Sequence, residues 1–130
     1  MHIILSIDDN PGDQDLMDEV IKSNELDYEI QRAKDGSDAL LKLNELYSKN
    51  ALPGLILCDI NMPGLNGYET IDIIQNDERL LKIPILIFTT TRDSKESLNK
   101  KGIISFIKPS TINDFEKIFL EILMHFKKMV

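Results

Sequence analysis

Short apolar runs alternate with amphipathic stretches along the whole chain. The segment His2 to Ile7 is apolar and stops at Asp8, Asp9, Asn10, Pro11 and Gly12, which predicts a buried strand ending in a loop. Leu16, Met17, Val20 and Ile21 recur at helical spacing, so a helix is expected from Gly12 or Asp13 to the polar tract Ser23, Asn24, Glu25. Tyr28 to Ala33 alternates like a strand. Asp35-Gly36 makes a turn, Ser37 is placed to cap, and Ala39, Leu40, Leu43, Leu46 and Tyr47 give the next helix one apolar face. Pro53-Gly54 breaks it. The remaining pattern predicts a strand over Leu55 to Cys58, a helix over Gly67 to Asn76, strands over Ile83 to Thr89 and Ile103 to Ile107, and a closing helix over Thr111 to Lys128.

Five strands alternating with helices imply a parallel sheet covered on both faces, because parallel strands need crossover connections and tend to be apolar throughout. The expected architecture is α/β: a flavodoxin-like (βα)5 three-layer sandwich with strand order 2-1-3-4-5. At 130 residues and 42% hydrophobic content the chain fills one ordinary core, so residues 1–130 are expected to form a single domain with no output domain.

Charge narrows the partners. A net charge of -7 and a pI near 4.8 argue against direct nucleic-acid binding and against an anionic membrane surface, both of which need clustered Lys and Arg. The apolar opening is too short for a signal peptide core or a spanning helix, and Cys58 has no second cysteine to pair with. A cytoplasmic protein is expected.

In open α/β sheets ligands bind outside the carboxyl ends of the strands, where strand order reverses. Asp8 and Asp9 follow the first strand, Asp59 the third, Thr89 closes the fourth and Lys108 follows the fifth. Three carboxylates in a partly dry crevice either share protons or bind a cation. Magnesium takes oxygen ligands, using one or two carboxylates together with a phosphate oxygen. His2 and His125 lie at opposite termini and Cys58 stands alone, so zinc-type spacing is absent. Lys108 offers charge and Thr89 a hydroxyl donor to phosphoryl oxygens, and Asp59, opening into a loop, is the acid best placed as nucleophile. Each residue also has a plainer reading. Asp8-Asp9 can stop a strand or cap a helix, Asp59 can belong to turn chemistry, Thr89 can fill a strand, and Lys108 can be a surface lysine.

Ser6-Ile7-Asp8-Asp9-Asn10, Leu57-Cys58-Asp59-Ile60-Asn61-Met62-Pro63-Gly64-Leu65-Asn66-Gly67, Pro84-Ile85-Leu86-Ile87-Phe88-Thr89-Thr90 and Lys108-Pro109 together resemble the CheY-like receiver domains of two-component response regulators. The resemblance covers nearly the whole chain. It implies that Asp8 and Asp9 organise Mg2+, that Asp59 accepts the phosphoryl group, and that the backbone carbonyl of Asn61 completes the metal shell. It likewise implies that Thr89 is the switch hydroxyl and that Lys108 pairs with the phosphoryl group, followed at Pro109 by a proline often cis in that family. The donor implied is a phosphohistidine on a sensor histidine kinase or histidine phosphotransfer protein. The output is a downstream protein partner or onward phosphotransfer, so the chain is not expected to be a metabolic enzyme.

The chain departs from the family pattern in places. Only 19 positions separate Thr89 from Lys108, so the helix between them is expected to be short or distorted. The family's aromatic switch position, three before the lysine, holds Ser105. Phe106 lies two before, on the opposite face of a regular strand, and is expected in the core. Thr90 stands where a small residue is common, and Asn66 replaces a common Asp. On the last helix Phe115, Ile118, Phe119, Ile122, Leu123 and Phe126 form a packing face, which Met124 and Met129 can extend toward a partner or a homodimer contact. Two other functions stay open: a small magnesium-dependent phosphohydrolase, disfavoured because no insertion encloses a substrate, and a receiver-like adaptor that is never phosphorylated.

Overall fold

The structure is a computed structural model, and it describes residues 2–90 and 103–129. The elements run β1 (His2–Ile7), α1 (Pro11–Ser23), β2 (Tyr28–Ala33), α2 (Gly36–Ser48), β3 (Leu55–Cys58), α3 (Gly67–Gln75), β4 (Ile85–Thr89), β5 (Ile104–Ile107) and α4 (Ile112–Met129). The strands form one sheet in the order β2-β1-β3-β4-β5, every neighbouring pair parallel. The expected flavodoxin-like architecture and strand order are therefore present. The short helix expected between Thr89 and Lys108 falls on residues 91–102, outside the described residues.

The apolar runs are continuous because each central strand is buried on both faces. Leu5, Ile7, Ile56, Cys58 and Ile87 pack beneath α2 and α3 with Leu43, Ile71 and Ile74. Their sequence neighbours Ile4, Leu55, Leu57, Leu86 and Phe88 point the other way, against Met17 and Val20 of α1 and Phe115, Phe119 and Phe126 of α4. Phe106 is half-buried against this second cluster, its ring 6.1 Å from that of His125. It lies on the α1/α4 face, as the alternation of β5 requires.

Helix starts differ in detail from the sequence expectation. Asn10 is the N-cap of α1, its side chain accepting from the Asp13 N–H at 3.1 Å, and Pro11 occupies the first turn, where a missing N–H costs nothing. The acidic pair therefore does not cap the helix. At α2 the cap is Asp35, which accepts from the Asp38 N–H at 2.8 Å, and not Ser37, which already lies inside the helix. Asn66 caps α3 in a reciprocal box with Glu69, doing the work an Asp would do there. Pro84 precedes β4 and contributes only its carbonyl, accepting from the Ile56 N–H at 2.9 Å. Among the described residues no peptide bond is cis, so Lys108–Pro109 is trans. None of the helices described is long and apolar enough to cross a membrane.

Candidate functional site

All the singled-out polar residues lie at the carboxyl edge of the sheet. β1 and β3 are direct neighbours, so Asp8 and Asp59 emerge side by side, tied by the Asp59 N–H to the Ile7 carbonyl at 2.9 Å. Thr89 is the last residue of β4 and fully buried, and its carbonyl accepts from the Lys108 N–H at 2.8 Å. Asp8, Asp59 and Lys108 are buried too, whereas Asp9 and Asn61 are exposed. One ligand oxygen from each of Asp8, Asp9 and Asp59 falls within 4.8 Å of the others, a spacing fit to hold one hard cation.

Lys108 reaches into this group. Its Nζ lies 2.6 Å from Asp8 Oδ2, 2.8 Å from Asp13 Oδ2 and 3.4 Å from Asp59 Oδ2. The ammonium has three donors and no acceptor, which suits three carboxylates. The second oxygens are fixed by backbone: Asn10 N–H donates to Asp8 Oδ1 at 2.9 Å and Ile60 N–H to Asp59 Oδ1 at 2.8 Å. The bond from the Asn10 N–H closes a tight turn on Asp8, and it coexists with the ion pair.

Burial dominates the proton affinity of Asp8, raising its carboxyl to about 6, with Lys108 only partly offsetting it. For Lys108 burial acts downward, but Asp8 and Asp13 outweigh it and hold the ammonium above its ordinary range. Burial also pushes the Cys58 thiol up, so it stays protonated beside Asp59. The Asp8 shift sets a pH dependence. Its proton is held more tightly in the folded chain than at the ordinary value of 3.8, so folding takes up a proton between these two pH values. In chelator, stability should rise by about 1–3 kcal/mol as pH falls from 7 toward 4, relative to Asp8→Asn. Parallel pH curves for the two proteins in thermal melts would remove Asp8 as the titrating group.

Two residues of the site were not singled out from the sequence. Asp13, in the first turn of α1, joins the Lys108 cluster from outside the three clustered acids. Its signal was present: it is an acid in the first turn of the helix that follows Asp8 and Asp9. Gln14 is buried and clamps the strand ends, its Nε2 donating to the carbonyls of Ser6 at 3.0 Å, Asp8 at 3.3 Å and Ala33 at 3.5 Å. No periodicity announces that contact. A cleft of about 210 Å³ bounded by Asp8, Asp9, Gln14, Lys34 and Asp38 opens beside the acids. A larger groove of about 580 Å³ lies at the other end of the strands, by His2 and Tyr28, remote from this chemistry.

The chain has counterparts among known proteins. The response regulator receiver domain family matches residues 4–119. The chain belongs to that family. Response regulator Rcp1 of Synechocystis sp. is 31% identical over 96 residues, covering 72% of this chain and 65% of Rcp1, so the match spans just under two thirds of that relative. The probable methanogenesis regulatory protein FilR2 of Methanothrix harundinacea is 29% identical over 125 residues, 92% of this chain and 80% of FilR2. Among solved structures, the Mn(2+)-bound form of Rcp1 superposes with a TM-score of 0.80 at 26% identity, covering 94% of this chain and 91% of that one. Chemotaxis protein CheY4 of Vibrio cholerae gives a TM-score of 0.75 at 26% identity, covering 96% and 98%. A receiver domain of a two-component response regulator, a signalling protein, is what the sequence resemblance implied.

Proposed function

We propose that this receiver domain is a phosphorylation switch: Asp59 accepts a phosphoryl group from a phosphohistidine, with Mg2+ held by Asp8, Asp9, Asp59 and the backbone carbonyl of Asn61. The observation that carries this reading is the meeting of three carboxylates within 4.8 Å with a buried lysine. Carboxylates so close need a counter-charge, and Lys108 alone cannot neutralise them all. The relative solved in a Mn(2+)-bound form supports a divalent cation here. When bound, such an ion neutralises charge on the phosphoryl oxygens and fixes their position.

The chain's own residues supply the rest. An Asp59 carboxylate oxygen attacks phosphorus, forming an O–P bond as the N–P bond of the phosphohistidine breaks, and the electron pair leaves with the imidazole nitrogen. Lys108 turns from the acids to a phosphoryl oxygen, and the Thr89 hydroxyl donates a hydrogen bond to another. The added charge, drawing in both residues, biases a distant surface toward a protein partner, a second copy or an onward acceptor. A sensor histidine kinase or phosphotransfer protein suits the donor's place. Sensor kinases RcsC and CqsS contain segments 30% and 32% identical to this chain, which fits a shared phosphotransfer chemistry.

The test is incubation with acetyl phosphate, with and without magnesium, read by intact mass. One added phosphoryl group that requires magnesium and is lost in Asp59→Asn is the expected result. Absence of any adduct would favour an adaptor role, and rapid multiple turnover would favour a hydrolase.

A further inference from the structure

Asp13 has no part in the reading above, yet its carboxylate takes a full share of the lysine at the centre of the site. Lys108 Nζ is 2.8 Å from Asp13 Oδ2, almost as close as its 2.6 Å contact with Asp8 and closer than its 3.4 Å contact with Asp59. Asp13 differs from the other two in place. It stands on the first turn of α1, about one-fifth exposed, and is not one of the three acids whose oxygens cluster within 4.8 Å. Its backbone is pinned, the N–H donating to the Asn10 side chain at 3.1 Å. A cation entering among Asp8, Asp9 and Asp59 would compete with the ammonium for Asp8 Oδ2 and repel it. The lysine then needs another partner, because a buried ammonium left unpaired is costly.

We propose that Asp13 is a positioning residue: it gives Lys108 a resting partner off Asp8 and so eases entry of a divalent cation to the acidic trio. This rests on the metal-dependent reading of the site. Removing Asp13 leaves Lys108 to close down on Asp8 and Asp59, so the cation must displace a more tightly held ammonium. The effect passes through Lys108 and therefore disappears when Lys108 is gone, whereas simple loss of a nearby negative charge would persist or grow without the lysine.

The experiment is Mn2+ binding to the full chain, followed by the loss of the free-ion electron paramagnetic resonance signal. The proteins are the wild type, Asp13→Asn, Asp13→Glu, Lys108→Met and the Asp13→Asn/Lys108→Met double variant. Asp13→Asn is expected to bind roughly tenfold more weakly, the order of one charge-assisted hydrogen bond, with Asp13→Glu recovering most of the loss. On the Lys108→Met background the same substitution should change affinity much less. An equal or larger loss on that background, or no loss in Asp13→Asn, overturns the proposal while leaving the metal site intact. Lack of Mn2+ uptake by the wild type would instead strike the metal reading itself, and this proposal with it. Should Lys108→Met prove too unstable to titrate, Lys108→Gln, which still hydrogen-bonds but carries no charge, takes its place as the background: a much smaller effect of Asp13→Asn there supports the role, and an equal or larger one overturns it.

Discussion

Replacing Lys108 with Met should destabilise the protein in chelator by about 3–5 kcal/mol, and magnesium should return much of that loss. The side chain is 5% exposed and stands against Asp8, Asp13 and Asp59. Methionine fills similar volume, so the cavity contribution is small and the effect is electrostatic: Asp8 and Asp59 remain buried with no cation between them. Part of the penalty is relieved by protonation, since burial already holds the Asp8 carboxyl near 6. The destabilisation should therefore shrink as pH falls toward 5. Urea unfolding at pH 7.5 and 5, with chelator or magnesium, measures it. A loss independent of both pH and magnesium would mean that packing, not charge, is what Lys108 supplies.

Gly67→Ala is expected to cost about 3 kcal/mol, at the upper end of overpacking, and to weaken metal binding as well. A Cβ at this position would lie 2.3 Å from the Asp59 carbonyl oxygen, 2.7 Å from Ile60 Cα and 2.9 Å from Ile60 Cδ1. Two of these three are backbone atoms and cannot rotate aside. Either the start of α3 moves outward or the Asp59–Ile60 backbone does, and the second displaces the Asp59 carboxylate, whose Oδ1 is held by the Ile60 N–H. Gly64→Ala is the natural control. Gly64 sits in the loop that leads into α3, with φ of +71° and open space around it, so its cost is backbone strain alone, about 1 kcal/mol, with metal affinity kept. Urea midpoints and Mn2+ titration of the two variants separate the cases. Equal effects would show that the tight approach of α3 to Asp59 is unimportant.

Much of this protein was legible in its sequence for a definite reason. The central strands β1, β3 and β4 are largely apolar on both faces, and they and β5 stop at Asp8, Asp59, Thr89 and Lys108, so period, punctuation and site coincide. Asp8, Asp59, Thr89 and Lys108 were found because they sit where an apolar run stops. Helix starts were read less well. At α2 both Asp35 and Ser37 are acceptable caps by composition, as are Asn10 and the acids before it at α1, and which residue caps depends on the backbone angles set where the chain leaves the sheet.

The sequence by itself determined the alternation of strands and helices, the acids and the lysine at the strand ends, and the receiver-domain family. Only the tertiary structure decided how Lys108 divides itself among Asp8, Asp13 and Asp59, that Gln14 clamps the ends of β1 and β2, and that Gly67 must lack a side chain. The physical reason is common to the three. Each is a contact between segments far apart in the chain or on different elements, fixed to tenths of an ångström by how α1, α3 and β5 pack on the sheet, and no local period encodes it.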